Sequence, residues 1–204
     1  MSLPKLNINE INTKFDENKE QYNSLLRKQY EDYTLNISTK SMAASLTCCS
    51  YFIHLIEMLK PTSVIDFGSG FSSFAIRNYK KITGENFKTF SVDSDSEWLE
   101  KSRLFCFNNH VLTENFYTWK HTPREPFDLI FFDIDMTKKR LNYFKPLFND
   151  FCHDGTVILF DDMHKPILKN KLAEEIKKVR CSFYDIEHII KEGKRFSYLI
   201  QLEE

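Results

Sequence analysis

Four sets of carboxylates follow short apolar runs in this 204-residue chain. Asp66 follows Val64 and Ile65, Asp93 follows Phe90 to Val92, Asp133 with Asp135 follows Leu129 to Phe132, and Asp161 with Asp162 follows Val157 to Phe160. Ligands of open α/β sheets lie beyond the carboxyl ends of the strands, so acids at four such ends predict one binding crevice. Carboxylates gathered in one crevice repel one another unless a cation compensates them. A set of oxygen ligands suits Mg²⁺, Mn²⁺ or Ca²⁺. Each acid taken alone suits a humbler task, capping the helix that follows it.

Between the first two acids lies Asp66-Phe67-Gly68-Ser69-Gly70-Phe71-Ser72-Ser73. A strand, a tight turn and a helix start are implied: glycine permits the unusual dihedrals of such a turn and lets a ligand approach the backbone. The free N–H groups of the helix start then face whatever is bound. Asp93 lies about twenty residues beyond the glycines, the spacing at which an acid in a βαβ unit reaches ribose hydroxyls. Dinucleotide enzymes have a third glycine near the position of Ser72 or Ser73, which is absent here, so the pattern predicts an adenosine pocket.

With these residues the chain resembles the class I S-adenosylmethionine-dependent methyltransferases over roughly residues 60 to 202. The resemblance implies S-adenosylmethionine as cofactor. It assigns Asp66, Gly68, Ser69, Gly70, Phe71 and Ser72 to the turn along the methionine part, Asp93 and Ser94 to the ribose, and Asp133 to the cofactor's methionine end. The strand-end acids are further similar to the catechol and caffeoyl-coenzyme A O-methyltransferases. That similarity implies that Asp133, Asp161 and Asp162 hold a divalent ion such as Mg²⁺, Asp162 standing where that family has Asn. Those enzymes carry a lysine base three residues after the first metal ligand, and Met136 occupies the position here. Lys138 and His164 are the substitutes nearby, and His164 is the better base near neutral pH. A second similarity, to bacterial small-molecule methyltransferases with acids and a histidine at these strand ends, requires no metal.

The expected activity is methyl transfer to an oxygen or nitrogen of a small molecule, with His164 and Asp133 as catalytic candidates and Ser38, Thr39, Ser41 and Met42 lining the acceptor. Two other readings compete. Ile130 to Thr137 resembles the Asp-x-Asp-x-Thr nucleophile motif of haloacid dehalogenase-type phosphatases, but that motif normally follows the first strand of its domain and would leave Asp66 to Asp93 without a role. A methyltransferase-like domain that binds partners without catalysis is the alternative that Met136 favours.

The elements that must place these residues follow from periodicity. Apolar positions recur at helical steps over residues 16–33 and again from Thr39 or Lys40 to Leu59, where Pro61 ends the pattern. The first helix is expected on the body's surface. Strands are predicted around Val64-Ile65 and at 89–95, 110–113, 127–133 and 156–160, alternating with a helix that carries Phe74, Ala75, Ile76 and Tyr79 and ends near Gly84, and with helices at 96–107, 141–151 (interrupted by Pro146) and from Pro166 to Val179. Two closing strands, 181–187 and 195–202, read as an antiparallel hairpin. The sum is an α/β fold: a doubly wound, mostly parallel seven-stranded sheet with an N-terminal helical cap (1–60) on a Rossmann-like core (61–204), one compact domain overall.

Composition narrows the partners. The 28 basic residues against 29 acidic ones give a net charge of −1, without the basic excess of nucleic-acid binders. Lys80-Lys81 and Lys138-Lys139-Arg140 read as solvated helix faces. Five cysteines form neither a disulfide framework nor metal-ligand spacing, which fits a reducing cytoplasm. No apolar run approaches the ~18 residues of a membrane span, so no membrane partner is expected.

Overall fold

The structure, a computed structural model, describes residues 3–203. Seven apolar runs are extended: β1 (Ser63–Phe67), β2 (Lys88–Asp93), β3 (Phe116–Thr118), β4 (Leu129–Phe132), β5 (Val157–Phe160), β6 (Cys181–Asp185) and β7 (Tyr198–Leu202). They form one sheet in the order β3-β2-β1-β4-β5-β7-β6, parallel except for β7, which runs antiparallel to both neighbours. The order reverses between β1 and β4, which opens a crevice at their carboxyl ends. Helices are α1 (Ile8–Asn36), α2 (Leu46–Leu59), α3 (Phe71–Thr83), α4 (Ser96–Asn108), α5 (Thr137–Arg140), α6 (Phe144–Asp150), α7 (Pro166–Glu175) and α8 (Glu187–Ile190).

Side chains alternate across the strands and build two cores. Val64, Leu129, Phe131, Val157, Leu159 and Leu199 face α1 to α4, in one cluster with Phe15, Leu26, Tyr33, Phe52, Phe74 and Phe105. Ile65, Phe67, Ile130, Phe132, Ile158 and Phe160 face the other way, onto Phe144, Leu147, Leu168 and Leu172. Each fully buried Leu, Ile or Phe stabilises the fold by roughly 1.5–3 kcal/mol relative to exposure. Among the described residues, no helix is long and apolar enough to cross a membrane.

The expected architecture is present, with local corrections. Helix α1 is longer than the 16–33 pattern, starting from Asn7, whose side chain caps Glu10 N–H. It is also deeper than a surface helix, since Phe15, Leu26 and Tyr33 are fully buried. Helix α2 does not begin at Thr39: Thr39 C=O closes a single turn by accepting from Met42 and Ala43 N–H (3.1 and 2.9 Å), and Ser45 is the true cap, its Oγ accepting from Cys48 N–H. The third strand is not 110–113. His110 (φ +57°) and Val111 instead close the end of α4, their N–H groups returning to Phe107 and Cys106 C=O, and Val111 buries itself there. The closing hairpin is not a simple turn, because α8 and a Glu192–Arg195 bridge intervene and Arg195 stays outside the strand.

Candidate functional site

The glycine turn is stitched to β2, with Gly68 and Ser69 N–H both donating to Val92 C=O at 2.8 and 3.1 Å. Gly68 has φ +101°, and a Cβ there would lie 2.4 Å from the Asp133 carbonyl oxygen. Glycine is thus required by the close approach of the β4 backbone. Gly70 is extended (φ 176°), and a Cβ there would meet only the Tyr33 hydroxyl, at 3.3 Å.

Behind the turn, Asp66 is fully buried and accepts from Ser72, Ser73 and Ser91 hydroxyls at 3.1, 2.6 and 2.5 Å. Arg77, equally buried, donates to Ser91 Oγ (2.6 Å) and to Ser73 and Glu114 C=O (both 3.1 Å), and its guanidinium lies 4.2 Å from the Phe116 ring centre. Burial pushes the Asp66 carboxyl up, while Arg77 and the serines pull it back. Asp66 therefore anchors the turn and does not face the crevice, a correction to its expected place on the cofactor.

In front of the turn, a cleft of about 320 Å³ is lined by Gly68, Ser69, Gly70, Phe71 and Ser72 on one side and by Asp93, Ser94, Asp95 and Trp98 on the next. Asp93 accepts from Ser69 Oγ (3.1 Å) and Asp95 N–H (3.0 Å). Burial pushes its carboxyl up to about 6 against these hydrogen bonds. Trp98 Nε1 donates to Ser69 C=O at 2.7 Å, which fixes the indole as a wall of the cleft. From the cap, Tyr33 enters the same lining, with Ser41, Met42, Ala43 and Ala44. Of the residues expected to line the acceptor, Ser41 and Met42 do so, whereas Ser38 and Thr39 do not.

At the other end Asp133, Asp135 and Asp162 line the cleft with Arg140, Lys165 and Arg195. Asp135 and Asp162 both take left-handed backbone (φ +58° and +65°), sparsely populated for such residues and common at functional turns. Arg140, 3% exposed, is the hub. Its Nε donates to Ile134 C=O (2.8 Å), its Nη2 to Asp133 and Asp135 C=O (3.1 and 2.9 Å), and it pairs with the Asp133 carboxylate at 2.6 Å and Asp162 at 3.5 Å. It is not on a solvated face as the basic run suggested. Arg195 pairs with Asp161 (3.3 Å) and Asp162 (3.7 Å) and donates to Ala43 C=O (2.7 Å), while Lys165 pairs with Asp162.

The three carboxylates of the expected ion site thus converge, but side-chain cations already compensate them. Among the described residues, no group of three His, Cys, Asp or Glu side chains is arranged to hold an ion. Asp161 accepts from Ser197 Oγ (2.8 Å) and lies outside the cleft lining. Asp133, Asp161 and Asp162 therefore do not fit Mg²⁺ in this geometry. His164 is also outside the lining: its Nδ1 is buried 3.7 Å from Asp162 and its ring lies edge-on to Phe196. Desolvation lowers its pKa, partly offset by Asp162. Lys138 is exposed. Asp133 is the titratable group left at the centre. Burial raises its carboxyl to about 7, with Asp161 and Asp162 pushing the same way and Arg140 opposing.

No protein-family model matches the sequence, and no curated protein matches it. Solved structures do match. The S-adenosylhomocysteine-bound methyltransferase PaMTH1 of Podospora anserina is similar over 100% of both chains at 16% identity, with a TM-score of 0.66. An O-methyltransferase of Bacillus cereus in complex with S-adenosylhomocysteine covers 89% of this chain and 91% of its own at 14% identity and a TM-score of 0.62. TomG of Streptomyces achromogenes, an O-methyltransferase involved in tomaymycin synthesis and crystallised with S-adenosylmethionine, covers 90% of each chain at 12% identity and 0.60. The chain has the fold of the class I S-adenosylmethionine-dependent methyltransferases. In that fold the acid motif at 130–137 follows the fourth strand, not the first, and the phosphatase reading falls away.

Proposed function

We propose that the protein transfers a methyl group from S-adenosylmethionine to an oxygen or nitrogen of a small molecule. The observation that carries this reading is the cleft at the strand-order reversal, where the Gly68–Ser72 turn, Asp93 and Trp98 form three walls. These residues fit the cofactor: the turn borders the cleft at two glycines, where no side chain stands in the way, and the Asp93 carboxylate can accept from a ribose diol. When bound, S-adenosylmethionine would supply a methyl group already activated by its sulfonium.

The chain's own task is alignment and handling of one proton. Trp98 and Asp93 would fix the nucleoside end, and Ser41, Met42, Met136 and Thr137 border the space left for the acceptor. Asp133, its carboxyl raised by burial, stands in the cleft as the group able to take the proton of an acceptor O–H or N–H. Arg140 holds that carboxylate in place. His164, the other catalytic candidate, would act on Asp162 and not on the acceptor. The absence of a lysine at Met136 is consistent with a base supplied just after β4, by Asp133.

Calorimetric titration with S-adenosylhomocysteine, with and without Mg²⁺, tests the reading. Micromolar-range binding that is insensitive to Mg²⁺ is expected. No binding by the native protein would remove the proposal. Binding without turnover over a panel of phenols, hydroxy acids and amines would favour the non-catalytic alternative.

A further inference from the structure

Tyr33 sits near the end of α1, far from every motif, with its side chain fully buried and lining the cleft. Its ring is held by Phe71 and Phe105, with centroids 5.6 and 5.0 Å away. Packing therefore fixes where the hydroxyl points. That hydroxyl reaches the face of the glycine turn, 3.3 Å from the position a Cβ on Gly70 would occupy. It has no hydrogen-bond partner in the protein. The Ser102 hydroxyl is near enough to ease the phenol's ionisation slightly, but burial dominates and raises the pKa well above that of an ordinary tyrosine. The proton is thus present throughout the physiological range, and no acceptor stands in hydrogen-bonding geometry with it, Ser102 Oγ being engaged with Ser69 Oγ at 3.4 Å. A buried unsatisfied hydroxyl is a net cost to the fold, and a phenylalanine would avoid that cost at nearly the same volume. Such an orphan at a ligand cleft calls for an acceptor that arrives with the ligand.

We infer that Tyr33 is a cofactor-binding residue: its hydroxyl donates a hydrogen bond to an oxygen of the bound S-adenosyl ligand, so that the N-terminal helix forms part of the cofactor site. The inference rests on the methyl-donor reading of the cleft. The acceptor is an oxygen on the ribose–methionine side, because the hydroxyl faces Gly70 and feels the Asp93 charge. Two oxygen types lie on that side of such a ligand, the ribose oxygens and the methionine carboxylate. Helix α1 would then respond to cofactor occupancy directly, and not only through the core it covers.

The test is Tyr33→Phe, a substitution that keeps the ring and its packing. Two quantities are measured: thermal stability of the ligand-free protein, and affinity by calorimetry for S-adenosylhomocysteine and for 5′-methylthioadenosine, which lacks the amino-acid part. The expected result has opposite signs. Ligand-free Tm stays the same or rises, and affinity for S-adenosylhomocysteine falls about tenfold, the scale of one lost hydrogen bond to a polar or charged acceptor. An equal loss for 5′-methylthioadenosine assigns the ribose, and an unchanged affinity for it assigns the carboxylate; both uphold the inference. A fall in ligand-free Tm with unchanged affinities would overturn it, showing that the hydroxyl serves the fold. Unchanged affinities with unchanged Tm would overturn it too. Failure of the native protein to bind either compound would instead remove the methyl-donor reading, and the inference with it.

Discussion

The two glycines of the turn, alike in sequence, differ in what they can tolerate. At Gly68 an added Cβ meets backbone at 2.4 Å in a left-handed conformation, whereas at Gly70 it meets one side-chain hydroxyl at 3.3 Å. Gly68→Ala is expected to cost more than about 2 kcal/mol of stability, and Gly70→Ala within about 1 kcal/mol, read from denaturant unfolding. A similar loss at both positions would refute this assignment. The pH behaviour of Asp93 is equally specific. Its folded pKa is raised, so its contribution to stability is present below the unfolded value near 4 and lost as pH rises through about 6. Under the proposed function, cofactor affinity should run the other way, because a ribose diol would donate to the ionised carboxylate. Binding should weaken by up to about tenfold per pH unit below 6, and Asp93→Asn should remove that dependence along with most of the affinity. A pH-independent affinity in the native protein would argue against Asp93 as the ribose ligand. Asp66, Asp93 and Asp133 were legible as one edge of a sheet because acids after apolar runs are local patterns. Arg140 and Arg195 were not. Nothing in a basic run or a polar loop states that a guanidinium will turn inward, since the carboxylates that draw it in lie on other strands.

Among the elements, the strands β1, β2, β4 and β5 and the helices between them follow directly from apolar runs and helical spacing. Two of the misread segments are ones where apolar residues serve a chain reversal. Val111 covers a helix end, and Ala43 and Ala44 pack under a loop, so their hydrophobicity carries no period of its own. The α1–α2 pair adds a buried polar contact that is invisible to periodicity. His54 Nε2 donates to Ile11 C=O at 2.9 Å, its Nδ1 lies 2.9 Å from the Tyr22 hydroxyl, and Tyr22 donates to Glu57 at 3.0 Å. Burial lowers the His54 pKa, with the Ile11 carbonyl and Glu57 opposing. For a folded pKa below the unfolded one, the neutral ring's contribution is full above about 6.5 and is lost as pH falls below it. Stability should therefore decline from pH 7 to 5.5 with a slope of at most about 1.4 kcal/mol per pH unit from this group, and His54→Gln should flatten that part of the profile. Denaturant midpoints across this range in both proteins provide the check. An unchanged slope in the variant would place the titration elsewhere.

Across the whole molecule, the division into a cap at 1–60 and a core at 61–204 does not correspond to two separable hydrophobic units. Phe15, Leu26 and Tyr33 of α1 and Phe52 of α2 belong to the same buried cluster as Val64, Phe131 and Leu159 of the sheet. A chain beginning at Ala44 would uncover that face and lose several residues each worth roughly 1.5–3 kcal/mol, against a typical total stability of about 5–15 kcal/mol. It is expected to show no cooperative thermal transition and to bind a hydrophobic dye. A sharp transition within a few degrees of the full chain would show that the core stands alone.

Arg195 links regions far apart in the chain. Its guanidinium donates to Lys40 and Ala43 C=O, contacts separated by 155 and 152 positions, and reaches Asp161 on the same side. Such a long-range clasp ties distant chain segments together through few bonds. The 39–45 segment it holds contains no strand and only one hydrogen-bonded turn. Releasing one side chain would free that segment without unzipping any helix or sheet ladder. The Asp162 and Arg195 end of the cleft thus has a latch, whereas the Asp93 and Trp98 end is walled by the turn, β2 and α4. Under the proposed function, traffic through the site would be asymmetric: the smaller partner would exchange at the latched end while the nucleoside stays seated.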